Sequence, residues 1–412
     1  YEISACLVGS EMCIRDSTYP TPTTINTFYT DADGQLVTPE KLEYGKGYSL
    51  VEVQAPYGYV LDSTPVPFDV TEENSTQEGG ITLIKVDKPN MAQKGTISVE
   101  KTGEVFFGVN VFGEKDKDVI YQPVYTVKGL AGAVYEITAD EDIITPDGTL
   151  RYHKGDVVDT VTTDDEGFAK SKELYLGKYT VVEIKAPNGM VINNEKHSVE
   201  LTYAGQDVAV TETVTSFYNE RQKVKISLEK VLEQNDTFGI GTNDEIKNIS
   251  FGLYAKEDIV SSSGTVIPAE GLIEIITLDE NGTAIANTDL PFGSYYIKEI
   301  ATDEHYILSD TQYPFTFEYA GQDTEIVEIK VNDGKPIENK LIYGSVSGKK
   351  IDENGEALGG ALIGIFKADE SEFTKEHAIM TATSEKDGSF SFAKVPYGQW
   401  IVREIEAPTG FV

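Results

Sequence analysis

Apolar side chains fall on every second position through most of the chain. In GTISVEK (95–101) Ile97 and Val99 alternate with Thr, Ser and Glu, and in GKYTVVEI (177–184) Tyr179 and Val181 keep the same beat. A period of two is the mark of a strand with one buried face, and long stretches of 3.6-residue periodicity are missing. Acidic, glycine-bearing turns break the strands at TDADG (from 30), TDDEG (163), LDENG (278) and EKDG (385). The pattern predicts an all-β chain of tandem β-sandwich modules of immunoglobulin-like size.

The same order of elements recurs. YGKGYSLVEVQAPYGY (44–59) returns as LGKYTVVEIKAPNGM (176–190), as YGQWIVREIEAPTGF (397–411) and, in degenerate form, as FGSYYIKEIATDEHY (292–306). YAGQD stands 20 residues after the glutamate of its copy at both 203 and 319. Opening strands GTISVEK (95), VKISLEK (224) and GSVSGKK (344) all end on lysine. Fixed offsets of this kind identify homologous modules. They place boundaries at 18–90, a module lacking its opening strands, then 91–220, 221–340 and 341–412, the last lacking its closing strands. The second module carries 82 residues between Lys101 and Glu183, against 54 between Lys350 and Glu404 in the fourth. The excess, within VFFGVNVFGEKDKDVIYQPVYTVKG, is expected to be a decorating hairpin, with a ligand face as the alternative.

With 412 residues the chain is long enough for several cores. Its 34 Lys and Arg against 69 Asp and Glu give a net charge of -35, which argues against nucleic acid or an anionic membrane as partner. Both cysteines, Cys6 and Cys13, lie in YEISACLVGSEMCIRDS, which resembles a translated sequencing adapter; residues 1–17 are therefore set aside as non-native. The remainder has no cysteine and hence no disulfide framework. No run of 18 apolar residues occurs, and both ends are expected to be cut, with any signal peptide or sorting signal lost.

Polar residues on the apolar faces carry the candidate chemistry. Lys101 shares a face with Ile97 and Val99, and Lys230 with Ile226 and Leu228; Lys350 follows Val346. Glu183 lines up with Tyr179 and Val181, as Glu52, Glu299 and Glu404 do in their copies. An asparagine precedes each lysine by 11 residues: Asn90, Asn219 and Asn339. Within a module the order is lysine, glutamate, asparagine, and Asp87 is a possible substitute for Asn90. Charges on a buried face must find partners or be neutralised.

From about residue 25 onward the chain resembles the collagen-adhesin B-type (CnaB, prealbumin-like, SpaA-type) repeats of Gram-positive surface proteins and pilins. Tyr48 to Tyr59 matches that family's E-box, Y-x-L-x-E-x-x-A-P-x-G-Y, nearly in full. The resemblance implies a prealbumin-like sandwich in which an opening-strand lysine and a closing-strand asparagine form an intramolecular isopeptide bond promoted by the glutamate. Carried over, the bonds are Lys101–Asn219, promoted by Glu183, and Lys230–Asn339, promoted by Glu299. Glu52 with Asn90, and Lys350 with Glu404, are incomplete sets that are not expected to react; the first module has no lysine before Lys41. The resemblance further implies a secreted, wall-attached stalk or pilin-like shaft, with sortase and peptidoglycan as partners.

Such a reaction is single-turnover and self-directed, so the chain is not expected to be an enzyme, and no cofactor or metal is expected. Asp31, Asp33 and Asp164 to Glu166 have the composition of calcium ligands without the spacing of a full loop, which favours ordinary hairpin turns. His153, His197, His305 and His377 are scattered singly, and hydrolase and NTPase motifs are missing. A V-Y-P-K-type pilin segment is also missing. The rival expectations are an adhesin, whose inserted module binds a host or matrix protein, and an enzyme whose catalytic part lies outside this chain.

Overall fold

The computed structural model describes residues 11–16, 23–31, 33–36, 38, 42–43, 45–73, 76–78, 81–113 and 119–411. Cys6, Lys41 and residues 114–118 of the insertion lie outside the described residues. The described chain is built of strands, with two short 3-10 turns, and divides into two compact units: residues 1–104 with 127–221, and residues 105–126 with 222–412.

The first unit begins with an antiparallel sheet in the order β2-β1-β3-β4, made of β1 (Glu11–Asp16), β2 (Thr23–Tyr29), β3 (Gly45–Gln54) and β4 (Val66–Val70). β1 comes from the adapter-like stretch and nevertheless holds a central place, paired with β2 on one side and β3 on the other. Leu50, Val70, Ile84 and Val86 form the core beside it. A sandwich follows, from the first part of β5 (Lys94–Phe112), β7 (Val134–Ala139), β8 (Val157–Thr162), β9 (Phe168–Lys170), β10 (Gly177–Lys185), β11 (Lys196–Leu201) and β12 (Val210–Asn219), while the rest of β5 and most of β6 (Ile120–Gly129) fall in the second unit. One sheet runs β8-β7-β10-β11; in the other the first half of β5 lies between antiparallel β9 and parallel β12. Ile97 and Val99, Tyr135 and Ile137, Tyr179 and Val181, and Phe217 meet between the sheets, on the faces that strand parity predicts.

The second unit repeats the plan. Sheet β15-β14-β17-β18 comprises β14 (Ser250–Ala255), β15 (Leu272–Thr277), β17 (Gly293–Ala301) and β18 (Gln312–Phe317). Its counterpart centres on β13 (Lys223–Leu232), with β16 (Thr283–Ile285) antiparallel to it, and β19 (Ile326–Lys330) and β20 (Ile337–Asn339) parallel. The last strands are β21 (Tyr343–Lys349), paired with β24 (Ser389–Pro396), and a sheet of β22 (Leu362–Lys367) between β23 (Met380–Thr383) and β25 (Trp400–Glu406). Residues 105–126 of the insertion belong to this unit. Phe106, Val109 and Tyr121 pack on the core around Phe251 and Tyr295, and the N–H groups of Ser262 and Ser263 donate to the carbonyls of Phe106 and Phe107. The hairpin is thus a packed element rather than a free decoration.

The acidic turns fix the strands that bear the lysines. Asp164 Oδ1 accepts the N–H of Glu166 and Phe168 at 3.1 and 2.8 Å, and Asp279 Oδ1 accepts those of Asn281 and Thr283 at 2.9 and 2.8 Å. These carboxylates cap their own turns. Gly167 and Gly282, at φ 85° and 77°, close the turns, and their carbonyls accept the N–H of Lys101 and Lys230 at 2.7 Å each. A Cβ on either glycine would lie 2.3 Å from that lysine's carbonyl oxygen, so no other residue fits without displacing the strand.

Candidate functional site

In the second module three polar side chains converge inside the sandwich. Lys101 follows Ile97 and Val99 in the buried row of β5, Asn219 ends that of the parallel neighbour β12, and Glu183 points in from β10 of the facing sheet. Their exposures are 1%, 1% and 2%. Lys101 Nζ lies 3.1 Å from Glu183 Oε1 and donates to Asn219 Oδ1. Asn219 Nδ2 donates to both glutamate oxygens, at 3.1 and 2.9 Å. The rings of Tyr135 and Phe217 stand 5.9 and 6.0 Å from the ammonium position and shut out water.

The third module assembles the same set from other residues. Lys230 Nζ donates to Asn339 Oδ1 at 2.6 Å and lies 3.4 Å from Glu299 Oε1. Asn339 Nδ2 donates to Glu299 Oε1 and Oε2 at 2.8 and 3.0 Å. All three side chains are 1% exposed. Here the degenerate motif adds a contact: Thr302, where the other copies have Ala55 or Ala186, accepts a further bond from Asn339 Nδ2 at 2.9 Å.

The electrostatics follow from the burial. Desolvation holds the Lys101 amine below the ordinary lysine range, and the nearby carboxylate of Glu183 only partly opposes it. Lys230 is lowered for the same reason, with Glu299 opposing. Each glutamate is also held by a backbone N–H ten residues further on: Asn193 to Glu183 Oε2 at 2.7 Å and Ser309 to Glu299 Oε2 at 2.9 Å. No motif marks those donors, because any residue type supplies a backbone N–H. The geometry sets an amine, stripped of water, against the carbonyl of a primary amide whose nitrogen rests on a carboxylate. That is the arrangement for amide exchange.

The first and fourth modules hold Glu52 with Asn90 and Lys350 with Glu404. Glu52 is fully buried and receives Asn90 Nδ2 at 2.7 Å and the Asp62 N–H at 3.1 Å. Asn90, and not the exposed Asp87, is therefore the counterpart of Asn219. The buried lysine nearby, Lys88, turns away to Asp62 at 2.7 Å and the Thr64 carbonyl at 2.8 Å, which pulls the Asp62 carboxyl down to about 2. In the fourth module Lys350 Nζ meets Glu404 Oε2 at 3.1 Å, with both side chains about a third exposed.

The SpaA prealbumin-like fold domain matches residues 4–85, 123–215, 238–335 and 344–412. The trypsin-resistant surface T6 protein of Streptococcus pyogenes serotype M6 is 27% identical over 139 residues, covering 33% of this chain and 24% of that protein. Among solved structures, the Bacillus anthracis TIE protein aligns with a TM-score of 0.50 at 18% identity, over 97% of this chain and 64% of that one. The major pilin subunit BcpA of Bacillus cereus aligns with a TM-score of 0.29 at 16% identity, over 83% of this chain and 99% of that one. The chain thus spans 24% of the T6 protein and 64% of the TIE protein.

Proposed function

We propose that this chain, which belongs to the SpaA family of prealbumin-like fold domains, is a length of load-bearing stalk or pilin-like shaft on a Gram-positive cell surface, and that its second and third modules cross-link themselves. One observation carries the reading: the same buried lysine, glutamate and asparagine, with the same contacts, are built twice from separate stretches of chain. The surface location rests on the T6 relative, and sortase and wall peptidoglycan are the partners the family resemblance implies.

The chemistry is an aminolysis. The neutral Nζ of Lys101 attacks Cγ of Asn219, forming an N–C bond. Glu183 takes one proton from Nζ and passes it to Nδ2; the Cγ–Nδ2 bond breaks and ammonia leaves, with the glutamate ending as it began. Lys230, Glu299 and Asn339 act likewise. The bonds would close loops of 118 and 109 residues, worth roughly 4 to 5 kcal/mol each in the chain-entropy account of cross-links. Force entering before Lys101 would leave after Asn219 through covalent bonds, bypassing every strand between. Pulling the full chain in a single-molecule trap tests this. The 118- and 109-residue loops should stay unextended in the wild type and extend in Glu183→Ala and Glu299→Ala respectively; equal extension in all three overturns the reading.

A further inference from the structure

YAGQD recurs at a fixed distance from the glutamate, and amide exchange makes no use of it. In the first unit the motif is a loop held from two sides. From within its own module it is held by Gln93, three residues after Asn90, whose side chain is 1% exposed. Gln93 Nε2 donates to the carbonyls of Gly205 and Val208 at 2.8 and 2.5 Å, and its Oε1 accepts the N–H of Ala204 at 2.8 Å. Gln222, three residues after Asn219, holds the second copy identically: Nε2 to Gly321 and Thr324 at 3.1 and 2.7 Å, Oε1 from Ala320 at 2.8 Å. A buried amide with its donors and acceptor all engaged, built twice, is a designed staple.

From the other side the loop meets the preceding module. Gln206 Oε1 accepts the N–H of Ala55 at 2.9 Å, and its backbone carbonyl accepts the N–H of Leu61 at 2.9 Å. Ala55 and Leu61 bracket the A-P-Y-G-Y turn that follows Glu52. The turn also pairs with the connecting segment, Gln93 N–H to Gly58 carbonyl at 2.8 Å and Val60 N–H to Met91 carbonyl at 3.0 Å. The Tyr203 ring lies 4.7 Å from that of Tyr57. Gly58, at φ 86°, would place a Cβ 2.5 Å from Pro146 of the second module.

We infer that the A-P-x-G-Y turn is a socket and the YAGQD loop of the following module its plug, so that the first and second modules are joined at a fixed angle instead of swivelling on their linker. The partner of this surface is the next module of the same chain, and the joint is independent of the cross-link.

Amide hydrogen exchange on the full chain tests it, comparing wild type with Gln206→Ala and Gln93→Ala. In the wild type the Ala55 and Leu61 amides are protected. Gln206→Ala removes the acceptor of Ala55 directly; Leu61 bonds to a backbone carbonyl that the substitution leaves in place, so faster exchange there reports undocking of the loop. Both amides should speed up about tenfold or more in both variants, although Gln93 touches neither, while Val99 in the core of β5 stays unchanged. Unprotected Ala55 and Leu61 in the wild type, or unchanged exchange in Gln206→Ala, overturns the joint. Intact mass taken on the same samples reports the cross-links separately, so failure of one proposal is distinguishable from failure of the other.

Discussion

At Lys101, burial opposes the charge and Glu183 supports it from 3.1 Å, and burial wins. The consequence is measurable while the amine is still free. In Asn219→Ala the acceptor is gone and Lys101 remains a lysine whose folded value lies below its unfolded value of about 10.4. Between those values the unfolded chain binds more protons, so the variant's stability rises with pH through that window. In the wild type the proposed bond would turn the nitrogen into an amide, which does not titrate there. Denaturant unfolding at a series of pH values should therefore show a slope in Asn219→Ala that is missing from the wild type at this site; identical slopes would mean that Lys101 is untouched in both. The lysine, glutamate and asparagine themselves were legible from face parity and spacing alone, since a charge recurring on an apolar face has few structural uses.

The turns and hairpins show where local pattern stops. Strand identity follows from alternation, but β1 owes its place to backbone pairing with β2 and β3, which composition does not encode. The insertion looked like decoration because the apolar partners of Phe106, Val109 and Tyr121 lie more than a hundred residues on, where no local period reaches. The turn after each glutamate misled in the other direction. The loss of A-P-x-G in the third module marks it as degenerate by sequence, yet the residue in the alanine's place, Thr302, accepts a hydrogen bond from Asn339 Nδ2, whereas Asn219 Nδ2 donates to the oxygens of Glu183. With both N–H bonds engaged the amide is held from turning over. Thr302→Ala should slow bond formation in the third module roughly fivefold, as expected for one lost hydrogen bond of about 1 kcal/mol. Thr302→Ser should restore the rate and the second module should not change. Time-resolved mass spectrometry of freshly folded protein checks this, and an unaltered rate in Thr302→Ala removes Thr302 from the reaction.

Across the whole molecule a chain with 69 acidic and 34 basic residues repels itself, and no disulfide is available outside the first seventeen residues to hold it together. Two internal amide bonds would supply that restraint in chemistry that reduction does not reverse. The central claim is tested most directly by the intact mass of the folded full-length chain. The account predicts a wild-type mass short of the sequence mass by two ammonias, with Glu183→Ala and Glu299→Ala each regaining one and the double variant regaining both. A folded wild-type chain with the full sequence mass would contradict it, leaving the two buried triads as polar packing and the stalk without its cross-links.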